Sequence, residues 1–157
     1  MTQPRLIVPG AGEVLTGPGG DRMTVKLSAG ATGDRLSLAE YDVPPGGGPP
    51  LHMHTLEDEA FWVLAGEVTF HCGGRVLEAK AGACVWAPRG VPHTFKNRSG
   101  TASRMLVLVT PAANFEAFYA KIGSPGPSGP PTDAEVIERI QRHAPEHGLT
   151  MMGPNPL

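Results

Sequence analysis

Short apolar runs broken by glycine and proline occupy the first 110 of the 157 residues. The chain holds 21 glycines and 17 prolines, which favour turns because glycine adopts positive φ cheaply and proline lacks a backbone donor. No helical periodicity of useful length occurs in this part of the chain. Many short strands separated by turns are typical of an antiparallel sandwich or barrel, so we expect an all-β fold in one domain of ordinary size.

The pattern changes after Pro111. From Ala113 to Ile122 the apolar residues recur at helical spacing, which predicts an amphipathic helix. A linker rich in proline and glycine follows at 123–131. A second helix is expected from Thr132, where Glu135 completes a capping box. The sequence therefore predicts a short helical extension after the β region.

These changes divide the chain into a β-barrel domain at 1–112 and a C-terminal helical extension at 113–157. The end of the extension carries three apolar residues, Leu149, Met151 and Met152. They either fold back on the barrel as a strand or lid, or belong to a frayed terminus. The residues alone favour neither outcome.

The charge of the chain is small and evenly spread. The formal net charge is −2 at pH 7, and no run of lysine or arginine suggests a nucleic-acid or membrane surface. No apolar segment approaches the length of about 20 residues that a membrane-spanning helix needs, and the N-terminus lacks a secretory apolar region. We therefore expect a cytoplasmic protein that binds neither nucleic acid nor membrane.

Two histidines and a carboxylate close together in sequence are candidate metal ligands. His52 and His54 are two residues apart, so on a strand both imidazoles point to one face and can chelate one ion. Glu59 shares a strand face with Phe61 and Val63, which predicts that its carboxylate is buried. A buried carboxylate needs a compensating charge, and a metal cation would supply it.

A third histidine falls in a similar setting. His93 alternates in phase with Phe95 and Asn97, so we expect its side chain on an apolar inner face. For each of these histidines the residues leave a second interpretation open, namely a buried, hydrogen-bonded histidine with a purely structural role.

Ten positions between residues 46 and 97 match the two sequence motifs of the cupin superfamily in identity and spacing. The first motif, at 46–66, comprises Gly46, His52, His54, Glu59 and Gly66. The second motif, at 82–97, comprises Gly82, Pro88, Gly90, His93 and Asn97. The chain therefore resembles the single-domain, quercetin-dioxygenase-like cupins, or monocupins. The resemblance implies a double-stranded β-helix, which is a jelly-roll barrel.

The resemblance also implies a metal site and a chemistry. The implied ligands are His52, His54, Glu59 and His93. Three imidazoles and one carboxylate suit one divalent transition metal: Fe, Mn, Ni, Cu or Zn. The implied reaction is dioxygenation of a small enolisable or phenolic substrate through a metal-bound enolate, with dioxygen as co-substrate and Glu59 as the catalytic base. The alternatives are a metal-dependent isomerase or cyclase on similar substrates, and a non-catalytic protein that binds a small ligand.

Four hydrophobic side chains near the ligands are candidate pocket residues, although core packing explains each of them equally well. They are Phe61, Val63, Trp86 and Phe95. Glu57 and Asp58 precede Glu59 at a polar corner, where we expect solvated carboxylates. A hydrogen-bond partner for a ligand, or a general base, is the alternative role.

Trp62 and Leu64 point to the opposite strand face from Glu59. A large apolar pair on the outside of a small barrel needs cover. Either the helix predicted at 113–122 or a second subunit would provide it, and we expect a homodimer.

Overall fold

The computed structural model describes residues 3–17, 21–113, 115–124, 129 and 131–157. Within these residues the strands are β1 Glu13–Thr16, β2 Arg22–Leu27, β3 Ser37–Val43, β4 Leu51–His54, β5 Asp58–Ala65, β6 Glu67–Cys72, β7 Arg75–Lys80, β8 Cys84–Ala87, β9 His93–Lys96, β10 Ser103–Thr110 and β11 Leu149–Gly153. The helices are α1 Ala29–Thr32, α2 Phe115–Gly123 and α3 Asp133–His143, and a short 3-10 helix at Ala144–His147 follows α3.

The strands form two antiparallel sheets around one hydrophobic core. The six-stranded sheet has the order β1-β2-β3-β10-β5-β8, and the five-stranded sheet has the order β11-β4-β9-β6-β7. Neighbours in a sheet are mostly distant in sequence, as in a jelly roll. The expected all-β, double-stranded β-helix with a C-terminal helical extension is therefore confirmed.

Strand β5 shows how sequence alternation orients side chains toward the core. Glu59, Phe61 and Val63 are at most 3% exposed, whereas Trp62 and Leu64 on the other face are 52% and 41% exposed. The helix α2 therefore does not cover the outer pair. The homodimer stays a prediction, and these two side chains are the ones that a second subunit would cover.

The loop before β4 lies directly against the end of β9. Gly48 has a φ of 147°, and a Cβ at this position would overlap the carbonyl oxygen of Phe95. Only glycine tolerates both the conformation and the close approach. On the same loop, the Gly46 amide donates to the Asn97 carbonyl at 2.7 Å, and the Asn97 amide donates to the Gly47 carbonyl at 3.0 Å. These contacts fix where the chain enters β4.

The C-terminal cap, defined here as α2, α3 and β11, packs against the barrel and shares its core. The buried side chains that the cap contributes include Phe115, Phe118, Tyr119, Ile122, Val136, Ile140 and Leu149. Strand β11 pairs antiparallel with β4, so that Leu149 lies opposite His54 and Met151 lies opposite His52. The tail therefore folds back as a strand, and the alternative of a frayed terminus is wrong.

Side-chain hydrogen bonds hold the last residues in place. The Asn155 side-chain amide donates to the carbonyl oxygens of Pro49 and Phe95, each at 2.9 Å, and Lys96 Nζ donates to the Leu157 carbonyl at 2.6 Å. Most of the linker predicted at 123–131 lies outside the described residues. Across the described ranges, no helix is long and apolar enough to cross a membrane.

Candidate metal centre

Four side chains with metal-binding atoms converge between the two sheets. His52 and His54 lie on β4, and His93 on β9 is the register partner of His52. Glu59 reaches the same point from β5 of the other sheet. Their ligand atoms all lie within 4.8 Å of one another, and His54, Glu59 and His93 are at most 3% exposed. The structure thus brings together the four residues expected to bind a metal.

Backbone carbonyls orient two of the three imidazoles. Nδ1 of His52 lies 2.9 Å from the Pro50 carbonyl oxygen, and Nδ1 of His93 lies 3.0 Å from the Val91 carbonyl oxygen. A carbonyl oxygen only accepts hydrogen bonds, so each Nδ1 carries the proton and donates it. In the neutral imidazole, Nε2 is then left with its lone pair directed at the centre of the cluster.

The centre of the cluster holds lone-pair atoms that face one another. Nε2 of His93 lies 2.8 Å from Oε2 of Glu59. Nε2 of His54 lies 3.3 Å from the same oxygen and is buried without a hydrogen-bond partner. Buried polar atoms normally have partners, and a cation between these atoms satisfies all of them. Three imidazole nitrogens and one carboxylate oxygen fit a divalent first-row transition metal.

The surroundings hold two of the four donors, Glu59 and His52, in the forms that a metal needs. Burial raises the pKa of Glu59, but the His54 and His93 imidazoles outweigh burial and hold this pKa at about 2. Burial and the neighbouring His93 lower the pKa of His52 to about 3. At neutral pH, Glu59 is therefore an anion and His52 a neutral imidazole, which are the states that ligate metals.

A mostly apolar cavity opens beside three of these ligands. Its lining consists of Tyr41, Pro49, Pro50, His52, His54, Glu59, Phe61, Phe95, Phe115, Phe118, Tyr119, Ile122, Ile140, Leu149 and Met151. The cavity volume is about 30 Å³, which is roughly the space of two water molecules. A larger ligand therefore enters only if side chains of the C-terminal cap move aside.

Two of the four expected pocket residues line the cavity, and two lie elsewhere. Phe61 and Phe95 are part of the lining. Val63 is fully buried in the core away from the cavity. Trp86 is 51% exposed, because it pairs with Ala60 on the outer face of the six-stranded sheet. The expectation that Trp86 lines the pocket is therefore wrong. Sequence reasoning missed Tyr41, a tyrosine of the lining that lies inward on β3 in alternation with half-buried residues.

Known proteins share the barrel and its motif region. Residues 39–109 match the family model described as Cupin domain. The Oxalate-binding protein of Thermotoga maritima is 32% identical over 94 residues, which span 59% of this chain and 78% of that relative. The chain belongs to the cupin superfamily.

Solved structures similar to this cupin include proteins with enzymatic names. The predicted oxalate decarboxylase of Thermotoga maritima is 28% identical, with a TM-score of 0.57, and the match covers 62% of this chain and 90% of that one. The polyketide cyclase RemF of Streptomyces resistomycificus is 26% identical, with a TM-score of 0.60, and the match covers 69% and 80%. Relatives of this cupin thus include enzymes.

Glu57 lies behind His54 in the candidate metal centre of this cupin. Its side chain is 1% exposed, and Nδ1 of His54 donates to its Oε1 at 2.7 Å. Burial lowers the pKa of His54, but Glu59 and Glu57 together raise it by more. The expectation of a solvated carboxylate is therefore wrong for Glu57. Asp58 is partly exposed, at 22% of its side chain, and its carboxylate accepts from Arg89 at 2.7 Å.

We expect the Glu57→Gln substitution to weaken metal binding by about 10- to 100-fold, the usual cost of losing a partner of a ligating histidine. The amide keeps the size of the side chain, but a neutral oxygen replaces the carboxylate that accepts the hydrogen bond from His54 Nδ1. Competition against a chromophoric chelator measures the affinity. Asp58→Asn, one residue away with its carboxylate on Arg89 rather than on a histidine of the cluster, is the matched control and should bind metal like the parent protein. Equal affinities for parent and Glu57→Gln would show that Glu57 only packs.

Proposed function

We propose that this cupin is a divalent-metal-dependent enzyme that acts on a small enolisable or phenolic molecule, with dioxygenation as the reaction. The observation that carries the proposal is the position of His52, His54 and Glu59 on the wall of a cavity rather than in a closed cluster. Structural metal sites are closed by protein ligands, whereas catalytic sites keep a position open to substrate. An apolar cavity with a few convergent polar groups is also typical of substrate sites.

The metal and the residues around it have different roles in the proposed reaction. The metal, when bound, supplies a Lewis acid that lowers the pKa of an oxygen acid next to it. Glu59 is ionised and therefore able to accept the proton that the substrate loses. Its pKa of about 2 reflects the adjacent His54 and His93, so a shift of Glu59 away from them returns its basicity toward that of an ordinary carboxylate, about 4.3. The aromatic walls, including Phe61 and Phe95, exclude water.

Oxygen uptake tests the proposal. Protein loaded separately with each candidate metal should be assayed with flavonols and 1,3-diketones, and we expect turnover that depends on the metal. Glu59→Gln should lower kcat per bound metal by about 100-fold or more, the usual range for a lost general base. Glu67→Gln, an exposed glutamate of β6, is the control. A metal-loaded protein that binds such ligands tightly but turns over none of them would instead support a non-catalytic binding protein.

A cyclase or isomerase is the second candidate, and the similarity to the polyketide cyclase RemF favours it. Lewis-acid activation followed by proton transfer through Glu59 serves both reactions, since neither the carboxylate nor the imidazoles distinguish them. The same assay separates the two. Conversion of substrate with no uptake of oxygen would favour the cyclase or isomerase over the dioxygenase.

A further inference from the structure

A surface groove lies between strand β11, the end of α3 and the 3-10 helix that follows it. This outer groove is lined by Thr55, Gln141, Ala144, Pro145, Gly148 and Thr150, and Leu149 and Met151 complete the lining. Its volume is about 410 Å³, which is within the range of about 300–1,000 Å³ for small-molecule pockets. The groove therefore has room for a molecule that the cavity beside the metal centre, at about 30 Å³, does not.

Two side chains form the wall between the outer groove and the cavity. Among the described residues, only Leu149 and Met151 line both spaces. In the pairing of β11 with β4, Leu149 lies opposite His54 and Met151 lies opposite His52. Side chains of directly opposite residues are close neighbours on one face of a sheet. A displacement of either wall residue would therefore connect the groove to the candidate metal ligands.

Of the two wall residues, Met151 has the greater freedom to move. Leu149 is 6% exposed and belongs to the hydrophobic core, whereas Met151 is only partly buried and packs against the edge of that core. Methionine is unbranched, with three rotatable bonds, and adapts easily to its surroundings. A change of rotamer at Met151 therefore costs less packing than the same movement at Leu149.

The backbone of β11 is anchored at both ends. The Gly148 carbonyl accepts hydrogen bonds from the Thr55 amide at 2.8 Å and from the Thr55 hydroxyl at 2.9 Å. Beyond the other end of the strand, the Asn155 side-chain amide donates to the carbonyl oxygens of Pro49 and Phe95. The wall therefore opens by rotation of a side chain, while the strand stays paired with β4.

We propose that ligands reach the metal centre from the outer groove, and that the Met151 side chain is a gate that limits the size of the ligands that enter quickly. A ligand of two or three atoms passes the wall with little rearrangement, whereas a ring passes only when Met151 swings aside. The inference rests on the proposed function, because it takes the cavity as the place where the substrate meets the metal. It adds a specificity-determining residue outside the two cupin motifs.

Ligand association rates test the gate without requiring turnover. The full chain is loaded with Co²⁺, whose absorption spectrum changes when a ligand binds, and is mixed rapidly with azide or with 4-nitrocatechol. Both probes are monoanions at slightly alkaline pH, so they differ mainly in size. We expect Met151→Trp to lower the association rate constant of 4-nitrocatechol by about tenfold or more and to leave that of azide nearly unchanged. Met151→Ala should raise the rate constant of 4-nitrocatechol.

Met152 supplies the matched control, because this adjacent methionine of β11 is 48% exposed and lies outside both linings. Met152→Trp and Met152→Ala should bind both probes at the parental rates, compared per bound metal. A gate hinders entry and exit alike, so the association and dissociation rate constants of the Met151 variants should change by similar factors. A side chain that only contacts the bound ligand would change mainly the dissociation rate constant.

Equal association rates of 4-nitrocatechol with the parent, Met151→Trp and Met151→Ala would overturn the proposal, because the ligand would then enter by another route. Equal slowing of azide and 4-nitrocatechol would overturn the size limit, and a change confined to dissociation would overturn the gate. Turnover by the parent together with any of these results would leave the proposed function standing. Rates that follow the expectation in a protein without turnover would contradict the proposed enzyme but support the entrance.

Discussion

The His93→Ala variant is expected to bind a divalent metal at least about 100-fold more weakly than the parent protein. Loss of a group that only supports a ligand costs up to about 100-fold, and His93 is itself one of four converging donors. Its Nε2 lies 2.8 Å from Glu59, and the side chain is 2% exposed, so neither water nor a neighbour easily replaces it. His143→Ala is the control, because His143 lies far along the chain in α3 and contacts Glu146.

Thermal unfolding is a second measurement that tests the prediction for His93→Ala. A metal present at about a thousand times its Kd stabilises the folded state by about 4 kcal/mol, which corresponds to roughly 8–16 °C in Tm for a domain of this size. We expect a strong chelator to lower the Tm of the parent and of His143→Ala by this amount. The Tm of His93→Ala should hardly respond. Metal content that is unchanged in His93→Ala or in His52→Ala would refute the assignment of the ligands.

Asp21→Asn is expected to stabilise the fold, by an amount that grows with pH. Asp21 is 1% exposed, and neither carboxylate oxygen has a hydrogen-bond partner in the described residues. Burial raises its pKa from the usual 3.8 to about 7. Between these values the folded state keeps a proton that the unfolded state releases, so stability falls as pH rises. The loss is complete once the pH exceeds the folded pKa.

The size of the effect follows from the two pKa values. The difference between 3.8 and about 7 corresponds to about 4 kcal/mol. Asparagine is uncharged at every pH, so the variant should match the parent near pH 4 and be more stable above pH 7, by roughly 8–16 °C in Tm. Thermal unfolding across this range measures the difference. Asp42→Asn, an exposed aspartate paired with Arg22, should show no such trend. A Tm difference for Asp21→Asn that is independent of pH would contradict the prediction.

The sequence allowed the convergence of His52, His54, Glu59 and His93 to be predicted because two short-range signals agreed. Strand alternation placed Glu59 with Phe61, and His93 with Phe95, on inner faces. The spacing of the cupin motifs then joined residues from β4, β5 and β9 that lie far apart along the chain. The barrel itself followed from the same strands and turns.

Features set by long-range register or by corner geometry were harder to predict. Trp86 lies in a short strand that is apolar on both faces, so alternation could not show which face meets the core. Glu57 lies between two strands, where no period fixes the direction of a side chain. The available signal was its position three residues after His54, which is close enough for a hydrogen bond to that imidazole. The pairing of Leu149 with His54 joins distant residues, and no local pattern encodes such a contact.

The C-terminal cap has a consequence for how cupins of this kind diversify. Seven of the fifteen cavity-lining residues follow residue 111, whereas the matched Cupin domain ends at residue 109. The candidate metal ligands therefore all lie in the barrel, whereas the cavity wall is shared between the barrel and the C-terminal cap. Substitutions in the C-terminal cap can change which molecule the cavity accepts without altering any of the four candidate metal ligands. Exchanging caps between cupins would be a direct way to transplant selectivity, and similarity confined to the barrel is a poor guide to substrate.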